Sequence, residues 1–272
     1  MKKILLAFDG KHFPENAFNF GRMLNAKQPI LLTGIFLPEP IPSGIWSYAY
    51  GTDFPVYTPS MEEADLMGIK RNVDKFISLC EENGIENDVH SNFSNLVLPD
   101  LKRETRFADI LLLSETFYDY LQPNDKYLKV AIEMTECPVM VVPEKFDFPS
   151  NNILAYDGSA SSVFAMKQFA YLFPELTSNE TVVMTMDEDG EPDRFPDQHH
   201  IVELLARHFP NLIMEKEGFD PRKYLSLWLE QKKNALFVTG SFGRSALSRL
   251  FKKSFIEDLF EDMKLPLFIA HR

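Results

Sequence analysis

Cysteine is nearly absent. Only Cys80 and Cys137 occur, and they form neither a C-x-x-C pair nor a metal-ligand spacing. A disulfide framework and a cysteine-based metal centre are thereby excluded, and both thiols are expected to be reduced, half-buried packing residues. Cations are also short: 28 Lys and Arg stand against 40 Asp and Glu, a formal net charge of −12. Generic binding to nucleic acid or to an anionic membrane needs clustered cations, so neither is expected. No run approaches the ~18–20 consecutive apolar residues of a membrane-spanning helix. The opening Met-Lys-Lys-Ile-Leu-Leu-Ala-Phe-Asp-Gly has an apolar part too short for a signal peptide, so a cytoplasmic protein is expected. His199, His200 and His208 lack a zinc-like spacing, and Asp187-Glu188-Asp189 reads as a solvated acidic loop. No Ser-His-Asp order and no paired glutamates suggest catalysis.

What is present is an alternation of short apolar runs with helical patterns. Ile4–Phe8, Ile30–Leu37, Ile110–Leu113 and Val139–Val142 read as buried strands. Ile85–Phe93 reads as a weaker one. Helical spacing covers Pro14–Ala26, Leu96–Phe107 and Asn124–Met134. A further helix runs from Ser60, which with Glu63 makes a capping-box pattern, to the stop signal Asn83-Gly84. Between the second strand and this helix lies Pro38–Pro59, rich in proline and aromatic residues and without a period, which reads as a long excursion loop.

The pattern then repeats. Ile4-Leu5-Leu6-Ala7-Phe8-Asp9-Gly10 matches Ile153-Leu154-Ala155-Tyr156-Asp157-Gly158 with one residue dropped, and Pro138-Val139-Met140-Val141-Val142 matches Pro266-Leu267-Phe268-Ile269-Ala270. The matched residues are 148 apart at Asp9 and Asp157 but 126 apart at Ser114 and Gly240, so the second copy is shorter, the aromatic loop accounting for the difference. Strands are expected at 153–156, 181–186, 212–215, 236–239 and 267–270. Helices are expected at 161–173, 197–208, 221–232 and 254–263. The fold class that follows is α/β, with two tandem doubly wound five-stranded parallel sheets, Rossmann-like with strand order 3-2-1-4-5, packed as a pseudo-dimer. The expected domains are 1–146 and 147–272, joined by a linker at 144–151.

In such a sheet ligands sit at the carboxyl ends of strands where the strand order reverses. That point lies between the first and fourth strands of each half. In the second half it brings Asp157-Gly158-Ser159 beside Gly240-Ser241-Phe242-Gly243. An apolar strand, a Gly-x-x-Gly turn, a basic segment (Arg244, Arg249, Lys252, Lys253) and a helix start at Ser254 form a layout suited to anions, since glycine admits close backbone approach and a helix N-terminus attracts phosphate. Two bland readings stand beside this one. Ser254 and Glu257 make a self-sufficient capping box, and Asp157 is a common turn residue.

These residues carry a resemblance that spans both halves. The chain resembles a tandem member of the universal stress protein family (UspA-like), whose ATP-binding members carry Gly-x2-Gly-x9-Gly-Ser/Thr. Gly240, Gly243 and Ser254 match three of the four positions, while Lys253 replaces the third glycine. The resemblance implies a stress-response regulatory or sensing module with an adenine-nucleotide site in the second half, holding ATP with accompanying Mg²⁺. Asp157 and Gly158 would contact sugar or base, and Val182 or Val183 the adenine. Thr239, Gly240, Phe242 and Gly243 would line the phosphate region, with Lys253, Ser254 and Phe255 at the far end. In the first half Ser114-Glu115-Thr116-Phe117 replaces the glycines and Glu115 adds a repelling charge, so that half is expected to have lost its phosphate loop. Catalysis beyond weak ATP hydrolysis is not expected. The competing expectation is an interaction or scaffold protein that binds no nucleotide and acts through a protein partner or self-association, with the aromatic loop as its contact.

Overall fold

The structure is a computed structural model that describes residues 1–9, 12–37, 45–48, 55–58, 63–91, 97–117, 126–185, 196–215, 234–240 and 265–270. In the first half β1 (Lys2–Phe8), β2 (Ile30–Phe36), β5 (Glu86–His90), β6 (Ile110–Ser114) and β7 (Val139–Val142) alternate with α1 (Glu15–Lys27), α2 (Glu63–Glu82), α3 (Val97–Thr105) and α4 (Lys126–Met134). In the second half β8 (Asn151–Tyr156), α5 (Ala160–Leu172), β9 (Glu180–Thr185), α6 (Gln198–Leu205), β10 (Leu212–Glu215), β11 (Ala235–Gly240) and β12 (Leu267–Ala270) follow. The helices expected at 221–232 and 254–263 lie outside the described residues.

Each half has the expected strand order. The first runs β5-β2-β1-β6-β7 and the second β10-β9-β8-β11-β12, both 3-2-1-4-5, with parallel pairing throughout. The two sheets do not stay separate. β12 pairs antiparallel with β7, with Leu267 opposite Val141 and Ile269 opposite Val139, so ten strands form one sheet. Each last strand thus covers the other's open edge and satisfies backbone groups that an edge would leave unpaired. Because the pairing is antiparallel while each half is parallel, the carboxyl ends of the two halves point in opposite directions, and their two switch points lie at opposite ends of the sheet.

The alternation of side chains along each strand divides the core into two layers. Ile4, Leu6 and Phe8 share one layer with Leu154, Tyr156 and Val183, beneath the apolar stripes of α1, α2, α5 and α6. Leu5, Ala7, Ile153, Ala155 and Val182 face the other, with Leu101 of α3 and Ala131 and Ile132 of α4. Aromatic rings fill the first layer. Phe8 stacks on Phe36 at 4.1 Å and meets the edges of Phe13 and Phe76, while Phe268 of β12 meets Phe169 of α5 and Phe173, which caps that helix, at 5.5 and 6.0 Å.

Further ties cross between the halves. The Lys2 ammonium donates to the Leu172 carbonyl at 2.6 Å and to Glu175 Oε1 at 2.7 Å, and lies 5.0 Å from the centre of the Phe173 ring. The connecting segment is docked as well: Phe146 and Phe148 pack on Phe20 of α1.

Two local expectations are corrected. The stretch 38–59 is not all loop, since β3 (Ile45–Tyr48) and β4 (Pro55–Thr58) pair antiparallel as a separate two-stranded ribbon. Its Ile, Val, Thr, Trp and Tyr residues are strand formers, which the surrounding prolines obscured. Asn151 and Asn152 belong to β8, not to a linker, because the buried Asn152 amide donates to Leu176 O and Thr181 Oγ1 at 2.9 and 3.0 Å.

Phe268 is fully buried where the seam strand meets α5. Phe268→Ala is expected to cost about 3–5 kcal/mol of unfolding free energy, read as a lowered urea midpoint with both halves unfolding in the same transition. Separate transitions for the two halves in the wild-type chain would contradict the single sheet.

Candidate functional site

The second-half switch point is built by β8, β11 and the first turn of α5. Val238 lies opposite Leu154 in the parallel register, which puts Gly240 level with Tyr156 at the carboxyl end of the pair. Beyond Tyr156 the chain must leave the sheet and start a helix within three residues. Asp157 Oδ1 accepts the Ser159 backbone N–H at 2.9 Å. Gly158 takes φ +77, a left-handed conformation that glycine adopts without a steric penalty. A Cβ there would also stand 2.7 Å from Pro196 Cβ. Ser159 then caps α5, its Oγ accepting the Ser162 N–H at 3.1 Å. The Tyr156 hydroxyl donates to the Pro196 carbonyl at 2.8 Å and so holds the segment before α6 against the same turn. Burial raises the Tyr156 pKa, and the neighbouring Asp197 and Asp157 raise it further.

Gly240 is needed for a reason the motif did not suggest. A Cβ on it would lie 2.7 Å from Ser161 C and Oγ and 2.8 Å from Ser161 O. The first turn of α5 therefore rests on the end of β11, and the close backbone approach that glycine permits is an approach by the protein itself. Thr239 is buried beside it, with its Oγ1 3.3 Å from the Gly240 carbonyl. Val183 is opposite Leu154 in β9 and fully buried in the core layer beneath α5, while Val182 faces the other layer. Phe242, Gly243, Lys253, Ser254 and Phe255 lie outside the described residues.

The structure thus brings Asp157, Gly158, Thr239 and Gly240 to one end of adjacent strands. Among the described residues, the only expected site residue lining the adjoining cavity is Gly158. That cavity, of about 680 Å³, lies between α5 and α6 and is lined by Tyr156, Ser159, Phe164, Lys167 and His200 among others. Ser159 was placed at the switch point without its capping role, and Ser161 was missed as a site-building residue. The run Ser159-Ala160-Ser161-Ser162 is the signal that could have found both, since serine concentrates at helix starts.

The first half makes the same turn differently. Asp9, 7% exposed, accepts the His12 N–H at 3.0 Å. Ser114 stands where Gly240 stands in the other half, and its Oγ accepts from Asn16 Nδ2 at 3.1 Å. Asn16 and Ser161 are both the second residue of their helix. In one half a side-chain hydrogen bond spans the gap between strand and helix, and in the other backbone contact closes it. Glu115, expected to repel phosphate, instead accepts the backbone N–H of Glu144.

Among the described residues no group of three His, Cys, Asp or Glu side chains could hold a metal ion, and no helix is long and apolar enough to cross a membrane. Cys80 and Cys137 are buried outright rather than half-buried, and burial pushes both thiols up to about 12.

No family model and no curated protein matches the sequence. Solved structures do match. A universal stress protein from Archaeoglobus fulgidus DSM 4304 superimposes with a TM-score of 0.66 at 15% identity, covering 100% of this chain and 96% of that one. A functionally unknown protein from Pseudomonas aeruginosa PAO1 follows at 0.51 and 11%, covering 100% of this chain and 92% of that one. At such identities the likeness is one of fold.

Two measurements check this geometry. Gly240→Ala is expected to lose about 1–3 kcal/mol of stability, because the added methyl meets helix backbone that cannot rotate aside. An unchanged urea midpoint would contradict the packing of Ser161 on Gly240. A thiol raised to about 12 stays protonated at pH 8, so both cysteines should react with a disulfide reagent only after unfolding; rapid labelling of the native protein would refute their burial. The chain has the universal-stress-protein fold, with its two halves run together into one ten-stranded sheet.

Proposed function

We propose that the chain is a regulatory module of the universal stress protein type, sensing an adenine nucleotide through its second half. The observation that carries this reading is the meeting of Asp157 and Gly240 at the carboxyl ends of adjacent strands β8 and β11, the switch point at which doubly wound sheets bind ligands. Asp157 is only half-buried, and a carboxylate is an acceptor suited to a ribose hydroxyl or an adenine amino group. The start of α5 adds N–H groups and the positive end of a helix dipole.

The described residues fit a nucleoside better than a triphosphate. They supply an acceptor and a helix start, but at Gly240 the backbone access is taken by Ser161. Phosphate contacts in this reading rest on Gly243, Lys253 and Ser254. Val183 enters only as a wall behind the buried layer. No three-ligand metal group occurs among the described residues, so Mg²⁺ would be held chiefly by the phosphates of ATP itself. The chemistry supplied is binding, and catalysis is not part of the proposal.

A second reading has its own support. Ser159 satisfies one oxygen of Asp157 and Ser161 accounts for Gly240, so both residues have structural reasons to be there without a ligand. On that reading the protein acts through a protein partner or through self-association.

Calorimetric titration with ATP, with and without Mg²⁺, separates the two. The nucleotide reading expects one saturable site per chain, weakened about tenfold or more by Asp157→Ala, the loss of one charge-assisted hydrogen bond, with the circular dichroism spectrum unchanged. Absence of binding at millimolar ATP would leave the interaction reading standing.

A further inference from the structure

The first half keeps a cavity at its own switch point, with a chemistry opposite to that of a phosphate site. It has a volume of about 460 Å³ and sits at the carboxyl ends of β1 and β6. Its polar lining comes chiefly from Asp9, Asn16, Ser114, Thr116, Glu144 and Lys145, and Phe13 and Phe117 supply apolar wall. Oxygen acceptors dominate. Asp9 presents a carboxylate that is 7% exposed and lies 3.8 Å from the Nδ1 of His12, another lining residue, and Glu15 and Glu144 add two more carboxylates. Asn16, 9% exposed, commits both of its amide hydrogens, to Ser114 Oγ at 3.1 Å and to the Val142 carbonyl at 2.7 Å. That pairing fixes the amide and leaves Oδ1 as an acceptor with no donor among the described residues. The Ser114 and Thr116 hydroxyls lie 2.8 Å apart and hydrogen-bond each other. Lys145 is the only ammonium in the described lining.

Two residues of this lining, Phe13 and Glu15, already receive an ammonium group from Lys75, which is not itself part of the lining. Lys75 Nζ lies 4.3 Å from the centre of the Phe13 ring and pairs with Glu15. A carboxylate beside an aromatic face is a combination that stabilises an organic cation through charge and ring quadrupole together. Phe13 and Glu15 both line the cavity, so the residue types that pair with Lys75 also border this space.

We propose that the first-half cavity is a binding site for a small organic cation carrying a primary ammonium group, such as an aliphatic diamine. The Asp9 carboxylate and Asn16 Oδ1 accept from the ammonium, and Phe13 and Phe117 flank the carbon chain. A phosphorylated ligand is rejected there, because the Asp9, Glu15 and Glu144 carboxylates of the lining would repel it. This site is independent of nucleotide binding in the second half, and the antiparallel seam places it at the opposite end of the sheet.

Calorimetric titration with putrescine at about physiological ionic strength, where non-specific surface attraction is screened, tests it. One saturable site per chain is expected, undiminished by excess ATP. Asp9→Asn should weaken it about tenfold or more, the scale of one lost charged hydrogen bond. Glu144→Gln, at an exposed rim position that leaves the fold intact, should weaken it by a smaller factor. Glu81→Gln, an exposed acid away from the cavity, should leave it unchanged. Equal binding by the Asp9→Asn and Glu144→Gln variants, equal loss in Glu81→Gln, or displacement by ATP would overturn the proposal. If Asp9→Asn fails to fold, the Glu144→Gln titration decides alone.

Discussion

The antiparallel pairing of β7 with β12 is the constraint on which the rest of the molecule depends. Each half is a five-stranded parallel sheet whose last strand would otherwise offer a bare row of backbone donors and acceptors. Joining the two last strands removes both edges at once and commits the halves to opposite directions. Apolar layers then run across the seam, with Met140 and Val142 from one half and Phe268 and Ala270 from the other in the same cluster. The outer edges are left to β5 and β10. Of these, β5 carries Glu86, Asp88 and His90, and charged residues discourage further pairing at an edge.

Within that frame the two halves solve one local problem in two ways. Each must turn from its first strand into a helix that crosses the end of its fourth strand. The second half uses three residues, a left-handed glycine and direct contact between Ser161 and Gly240. The first half uses a longer turn and bridges the gap with the Asn16 amide. The tighter solution presents a helix start, and the looser one leaves an acceptor-lined cavity. The opposite ligand preferences proposed for the two halves would follow from this difference in packing, without any change of fold.

Much of the fold was legible from the chain. Continuous apolar runs as short as Ile4–Phe8 and Val139–Val142, bounded by turn residues, read as strands covered on both faces, and the duplicated proline before Val139 and Leu267 exposed the repeat. Strand pairing between the halves was not legible, because nothing in Val-Met-Val-Val or Leu-Phe-Ile-Ala distinguishes a covered edge from a packed sheet face. The ribbon at 45–58 was hidden by its prolines. The site was legible only as a place. Asp157 and Gly240 do meet at one end of neighbouring strands, but their spacing could not reveal that Ser161 fills the space glycine leaves open. Val183 was placed near the adenine by the resemblance, and its side chain is fully buried beneath α5.

The central claim is the proposal that an adenine nucleotide is received at the carboxyl ends of β8 and β11. Hydrogen exchange read by mass spectrometry, with and without ATP, addresses it directly, since it reports where along the chain a ligand slows exchange. The account predicts added protection in the peptides covering Asp157–Ser162 and Ala235–Gly240, with none in those covering Asp9–Asn16 and Ser114–Phe117. Protection confined to the first half, or no change anywhere at saturating ATP, would contradict it.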